Sequence, residues 1–406
     1  MIILFDVDGV LVDHRAYREA VRHTSRFFSR RLGLGDVQPD DAVIDVFESQ
    51  SITVEWETDA IIAAALLLAR LNADLIAPKR KASQKPVAAL PPDFWEALDQ
   101  LAAVKTPANG SQPPLDLAAL ARRVGTAAQR AELPSRAALR LFMADVQAND
   151  RLPAETVAPL LEHLLGDVYN VDRSPAMQVH QNHVLGDKQY EHYYQLAPRI
   201  TGEPLLLALD RPLLTPDLRD ALLARRAAGE VFPVIYTARP SLAPVEAGPY
   251  HRGFTPEAEI ARAQVGLDPA PAMGFGKMSW LAPRMRRLGS DLVKPSPVHG
   301  MAAIAAARTG QEVEAIKAAL AVERGDHLRY PLTACAGETV HVFEDSPSSL
   351  QAVKRGVDLL NRQGLRLTLV RHGVAPAGSP KRTALAEVAE VVHGDVNEGV
   401  REILRV

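Results

Sequence analysis

The chain begins with five apolar residues, Met1-Ile-Ile-Leu-Phe5, that run straight into Asp6-Val-Asp8-Gly9. An unbroken apolar run of this length reads as a strand buried on both faces, as in a parallel sheet covered by helices. The chain leaves such a strand at its carboxyl end, where open α/β sheets place their sites. Alternation puts Asp6 and Asp8 on the same side of the strand. Two carboxylates that close repel each other unless something positive lies between them. Mg²⁺ is the candidate cation, because it is hard and takes carboxylate oxygens.

The remaining sequence sets the context of that strand. With 406 residues the chain has length for two or three domains and a full core. After Asp13, which can cap a helix, Tyr17, Ala20, Val21, Phe27 and Phe28 recur at roughly helical spacing. Residues 40–76 continue as helix, with Trp56 and then an Ala/Leu-rich stretch over 60–71. The proline-punctuated stretches 78–92 and 106–114 read as loops, the first of them basic, with short helices at 93–103, 115–123, 136–148 and 154–165. Residues 14–197 thus read as one mostly helical domain, with a loop-rich insertion of its own at about 74–135 and no internal repeat. Beyond 198, apolar strands alternate with helices. The run 231–237 ends in Thr237, the run 339–345 ends in Glu344-Asp345, and 365–371 is the last strand. Helices are predicted at 215–228, 256–265, 279–288, 298–308, 311–324, 350–355 and 396–404. This alternation argues for an α/β fold with a doubly wound parallel sheet, built from 1–13 and 198–406.

Composition narrows the function classes. A formal net charge of −3 gives no electrostatic reason to expect nucleic acid or an anionic membrane as partner. The single cysteine, Cys335, excludes an intrachain disulfide framework and a Cys-rich metal site, and fits a reducing cytoplasm. The N-terminal apolar run is too short for a signal peptide and ends in acids. No stretch approaches 18 uninterrupted apolar residues, so no transmembrane helix is expected. The large Ala/Leu-rich helical domain leaves both a monomer and a homodimer open.

Collected in order, the strand ends resemble the haloacid dehalogenase (HAD) superfamily. The first motif of that family matches Asp6-Val-Asp8-Gly9-Val10, the second Val234-Ile-Tyr-Thr237, the third Lys294-Pro295 and the fourth Val340-His-Val-Phe-Glu344-Asp345-Ser346. The resemblance covers the sheet domain and implies a Rossmann-like core with a type 1 cap inserted after the first strand. Ala16-Tyr17-Arg18, Thr24, Phe27-Phe28 and Val184-Leu185-Gly186 are similar to a bacterial group of subfamily IA. It implies a Mg²⁺-dependent phosphatase that hydrolyses a small or medium organic phosphate monoester through an aspartyl-phosphate. Asp6 would be the nucleophile and Asp8 the general acid and base. Thr237 would donate to a phosphoryl oxygen, and Lys294 would hold the nucleophile and neutralise charge. Mg²⁺ would bind Asp6, Asp8 through its backbone carbonyl, and Asp345, with Glu344 as a further ligand or a partner through water. Gly9, Ala238 and Arg239 would lie beside the substrate, Arg239 either on phosphate or pinning its loop. On the cap, Tyr17, Arg18 and Trp56 suit substrate contact by type.

The resemblance also leaves alternatives. A phosphomutase would use the same residues, and a binding or scaffolding protein could retain the fold with a non-catalytic site. Asp8 favours phosphoryl transfer over dehalogenation, because dehalogenases of the family lack a general acid there. A Schiff-base lysine, as in a phosphonate-hydrolysing branch, gains no support from Lys79, Lys81 and Lys85, which lie in a loop. One departure is Ser349, where the family often has a further acid. His180, His183 and His192 read as polar or interface groups rather than a metal site.

Overall fold

The computed structural model describes residues 1–76, 90–91, 93–103, 115–129, 132–149, 152–248 and 250–406. The chain divides into two compact units, Met1–His14 with Leu209–Val406, and Arg15–Ala208.

The first unit is built on β1 (Ile2–Phe5), β2 (Val12–Asp13), β3 (Arg211–Pro212), β4 (Phe232–Tyr236), β5 (Ala272–Met273), β6 (Thr339–Glu344), β7 (Thr368–Val374) and β8 (Val391–His393). Six of these form one parallel sheet in the order β5-β4-β1-β6-β7-β8. β2 and β3 form a separate antiparallel pair. β1 takes a central place because all four of its side chains are fully buried. Alternation along the strands serves two cores. Ile2, Leu4, Val234, Val340 and Val342 face helices Pro297–Thr309, Glu312–Glu323 and Pro347–Arg362, where Met301, Ile304, Leu320 and Val353 meet them. Ile3, Phe5, Ile235 and Phe343 face the other way, against Leu218 and Leu222 of helix Pro216–Ala227 and Val396, Val400 and Leu404 of helix Val396–Leu404. The sheet is therefore an α/β layer covered on both faces. β1 and β6 lie side by side where the strand order reverses, with Phe5 opposite Phe343. Open α/β sheets place their sites in the crevice outside such carboxyl ends.

The short edge strands β5 and β8 and the β2–β3 pair were not expected, since two or three residues carry too little periodicity to be read. The helix expected at 279–288 is displaced to Phe275–Leu281, because Pro283 follows at once and Gly274 opens the first turn. The helix read as 350–355 extends over Pro347–Arg362, and the last long strand lies at Thr368–Val374.

The second unit is helical among its described residues, with helices Arg15–Arg31, Asp41–Ser49, Glu55–Ile76, Phe94–Ala103, Leu117–Ala127, Pro134–Gln147, Ala154–Leu165 and Pro175–Tyr194. The continuous helix expected over 40–76 is broken near Ser51, whose φ of 63° cannot continue it. The aromatics Phe28, Phe47, Phe94 and Phe142 share one core with leucines of helix Glu55–Ile76. Asp40, Asp116 and Ser174 each cap a helix by accepting a backbone N–H. Gly186 interrupts the last helix with φ 72°; a Cβ there would stand 2.9 Å from the Gly202 carbonyl oxygen. That approach, with Asn182 Oδ1 accepting from the Arg199 and Ile200 N–H groups, ties residues 199–202 to the helical unit. The boundary consequently falls at 208/209 rather than 197/198. Of the loop-rich stretch expected at 74–135, residues 77–89, 92, 104–114 and 130–131, with Lys79, Lys81 and Lys85, lie outside the described residues, and the described remainder includes helices Phe94–Ala103 and Leu117–Ala127. No helix among the described residues is long and apolar enough to cross a membrane.

Three strands of the sheet carry a histidine row. His341 Nδ1 lies 2.9 Å from His372 Nε2, and His372 Nδ1 lies 3.0 Å from His393 Nε2. Each link needs one N–H and one lone pair, which neutral imidazoles supply. Phe343 stacks on the middle ring with centroids 4.4 Å apart. Burial pushes His372 down to about 3, with His341 and His393 as like-charged neighbours adding to it. Burial and the chain's amino terminus hold His341 at about 4. Unfolded histidines titrate at about 6.5, so below that pH the unfolded chain takes up protons that the folded chain refuses. Stability therefore falls as pH drops from 7 towards 4. In urea titrations at pH 7 and pH 5, His372→Leu should show a smaller loss between the two pH values than the parent, by about 1–2 kcal/mol. Equal losses would refute the neutral row.

Candidate active site

Asp6 follows β1 directly, and Glu344 ends β6 with Asp345 next in the chain. The parallel register of Phe5 with Phe343 brings the two strand ends level, and the Asp6 N–H donates to the Phe343 carbonyl oxygen at 3.0 Å. From the other side of β1, β4 delivers Thr237 immediately after Tyr236. The next residues turn tightly: the N–H groups of Val10, Leu11 and Val12 all donate to the Val7 carbonyl. Gly9 makes this turn with φ 73°, and a Cβ there would lie 3.2 Å from Asp345 Oδ2. The residue after Asp8 is thus held to glycine by both conformation and space.

Lys294 joins these ends. Its Nζ lies 2.6 Å from Asp6 Oδ1 and 2.7 Å from Glu344 Oε1, and donates to the Tyr236 carbonyl at 3.3 Å. All three ionic side chains are almost fully buried. Burial raises Asp6, Lys294 pulls it back down, and Asp345 and Asp8 add to the rise. Glu344 is raised well above its ordinary value by burial and then by Asp6. Burial would lower Lys294, but the two carboxylates overcome it and keep the ammonium charged. One ammonium shared by two buried carboxylates leaves a charge uncompensated. His299 sets the backbone of this lysine: its Nδ1 accepts from the Lys294 N–H at 3.0 Å and its Nε2 contacts the Met273 carbonyl at 2.9 Å. Burial drops the imidazole to about 3, which keeps Nδ1 an acceptor.

Arg239 forms a second buried centre. Its Nε lies 3.0 and 3.1 Å from the two Asp8 oxygens, and its Nη2 lies 2.6 Å from Asp8 Oδ1 and 2.9 Å from Asp210 Oδ2. Burial alone would raise Asp8, but Arg239 holds it below the ordinary carboxylate value, with His14 and Lys294 adding to the effect. The sequence left Arg239 either on phosphate or pinning its loop; the guanidinium instead lies on the Asp8 and Asp210 carboxylates, a setting apart from both readings. Thr237 Oγ1 accepts the Arg239 N–H at 3.1 Å, which leaves its hydrogen as a donor. Ala238 stands exposed between them.

Among the described residues, Asp6, Glu344 and Asp345 are the one group of three or more His, Cys, Asp or Glu whose ligand atoms could share an ion, lying within 4.8 Å of one another. These donors fit Mg²⁺: all are hard oxygens, and Glu344 Oε2 is buried with no hydrogen-bond partner. Lys381 Nζ completes the local charge at 2.6 Å from Asp345 Oδ2. With all five carboxylates ionised, Asp6, Asp8, Asp210, Glu344 and Asp345 would outnumber the cations Lys294, Arg239 and Lys381 by two, the charge of one divalent cation. Ser349, buried in the first turn of helix Pro347–Arg362, adds no charge.

The candidates on the helical unit lie among that unit's own side chains. Tyr17 is buried and stacks on His180 with centroids 6.1 Å apart. Arg18 pairs with Asp41, Asp45 and Glu48. Trp56 meets Tyr169 edge-on. His180 Nδ1 lies 2.6 Å from Asp59 Oδ2, His183 packs against His23, and His192 against Tyr193. Sequence reasoning missed Asp210, His299 and Lys381. Asp210 alone carried a signal, since like Asp6 it is an acid closing an apolar run, Leu205–Leu209.

No protein-family model matches the chain, and no curated protein matches it. Among solved structures, a Northeast Structural Genomics Consortium target determined by X-ray crystallography superposes with a TM-score of 0.61 at 15% identity, over 99% of this chain and 98% of the other. That likeness shows a shared fold. The phosphatase Tt82 from Thermococcus thioreducens superposes with a TM-score of 0.44 at 14% identity, over 100% and 99% of the two chains.

Removing Lys294 leaves Asp6 and Glu344 buried against each other. Lys294→Met should cost about 3–5 kcal/mol in urea unfolding without divalent ions, as when one partner of a buried pair is deleted. Adding Glu344→Gln should recover part of that loss. A double variant no more stable than the single one would show that the strain does not come from the carboxylate pair.

Proposed function

We propose that the protein is a Mg²⁺-dependent phosphatase of the HAD type, acting on a small or medium organic phosphate monoester. The observation that supports this most is the buried Asp6–Lys294–Glu344 bridge at the carboxyl ends of β1 and β6, with Asp345 beside it. A carboxylate held at a fixed angle by an ammonium, next to hard oxygen ligands, suits in-line attack on phosphorus. Asp6, Asp345 and Glu344, with the Asp8 backbone carbonyl, would hold Mg²⁺. Bound there, the ion would neutralise charge on the phosphoryl oxygens.

The chain's own groups divide the remaining work. An oxygen of Asp6 attacks phosphorus, a P–O bond forms, and the bond to the leaving alkoxide breaks. Lys294 keeps Asp6 oriented and offsets the negative charge that gathers on the phosphoryl group. The Thr237 hydroxyl donates to one phosphoryl oxygen. Asp8 gives the alkoxide its proton, then takes one from the water that displaces the carboxylate. Arg239 favours the ionised form of Asp8, which is the form needed for the second step. For the first step Asp8 must be protonated and turned away from the guanidinium. In this reading the helical unit, inserted between β2 and β3, selects the substrate, and the single, buried Cys335 fits a cytoplasmic enzyme.

The test is phosphate release by the purified full-length chain with Mg²⁺ across a broad panel of phosphomonoesters. Release from at least one ester is expected. Asp6→Asn should abolish it, and Asp8→Asn should reduce it by about 10²–10⁴-fold. No release from any ester, or Asp6→Asn acting like the parent, would sink the proposal. An isomerised product without free phosphate would point to a mutase.

A further inference from the structure

One of the acids proposed for the metal already faces an exposed cation of the chain. Lys381 Nζ lies 2.6 Å from Asp345 Oδ2, with the lysine side chain 52% exposed and the aspartate 19%. The approach is built into the segment joining β7 to β8. Arg382 Nη1 donates to the carbonyl oxygens of Ala375 and His393 at 2.9 and 3.3 Å, and Nη2 donates to that of Val392 at 3.0 Å. The Lys381 N–H donates to Ser379 Oγ at 3.3 Å. Arg382, in the first turn of helix Lys381–Ala386, thus fastens the start of that helix to the ends of the strands, and the residue before it is delivered to Asp345. The same oxygen, Asp345 Oδ2, is the atom that a Cβ on Gly9 would meet. It lies between the bare backbone of residue 9 and the ammonium of residue 381.

The two lysines of the site differ in what leaving would cost. Withdrawing Lys294 would strand two buried carboxylates against each other. Lys381 can swing its head into water at small cost, because exposed ion pairs are weak and screened.

We infer that Lys381 is a displaceable counter-ion that competes with the divalent cation for Asp345 and so sets the cation concentration at which the site fills. The inference rests on the Mg²⁺ reading of the acid cluster. Without the ion, Lys381 neutralises Asp345. When the ion takes that carboxylate, Lys381 is released at the rim of the site, where its charge is available to an incoming phosphate.

Calorimetric titration with Mg²⁺ alone separates the possibilities, with no substrate and no turnover. Lys381→Met should bind Mg²⁺ about twofold to fivefold more tightly than the parent. Lys381→Arg keeps the charge and should stay near the parent. The gap between Lys381→Met and the parent should narrow in about 0.5 M KCl, where an exposed pair is screened. Asp345→Asn should lose most of the binding. If Asp345→Asn loses binding while Lys381→Met binds no more tightly than the parent, the counter-ion role is overturned and the metal site stands. If Asp345→Asn binds like the parent, Asp345 is not a ligand, and both readings fall.

Discussion

The ammonium of Lys294 is the contact on which the candidate site depends. It reaches the ends of β1 and β6 and the Tyr236 carbonyl of β4, so it connects three neighbouring strands at their carboxyl ends. Burial makes that contact obligatory. Asp6 and Glu344 have little access to water, and without a cation one of them would have to be neutral. The fold supplies the lysine from the loop before helix Pro297–Thr309 and fixes its backbone through His299, itself held on the Met273 carbonyl of β5. A side chain from the edge of the sheet therefore contributes to the geometry at its centre.

A second cation divides the labour. Arg239 takes Asp8 and Asp210, and its own N–H holds the Thr237 hydroxyl. Asp6 and Asp8, two residues apart, consequently live in different electrostatic settings. Asp6 is raised by burial against nearby acids, whereas Asp8 is depressed by a guanidinium. Environments that push neighbouring carboxylates apart are what a site needs when one acid is to attack and the other to carry protons. The separation comes from residues more than two hundred positions away in the chain.

The legible part of this structure was the part written locally. Long apolar runs closing in polar residues marked β1, β4 and β6, and with them Asp6, Thr237 and Glu344-Asp345, because burial on both faces leaves an unambiguous pattern. β5 and β8 were invisible, being too short for alternation to register. The clamp of Arg239 on Asp8 and Asp210 could not be read, because the partners are brought together only by the strand order. Arg18 shows the same limit. Its type suited an anionic ligand, yet three acids of the neighbouring helix Asp41–Ser49 surround it. Lys381 gave no local signal at all: its meaning depends on how Arg382 anchors the start of helix Lys381–Ala386 between two strands.

The histidine row bears on how the sheet keeps its alignment. β8 has only three residues and lies at the open edge, so backbone pairing alone restrains it weakly. A slip of one residue would carry His393 to the opposite face and take the His393 Nε2 partner away from His372 Nδ1. The cost would fall on any wrong pairing and spare the right one. Because each ring has a single N–H, the tautomers of all three must also agree in direction along the row. The row thus acts as a key cut for one register of the edge strand: it contributes selectivity among alternative pairings where the strand is too short to provide it.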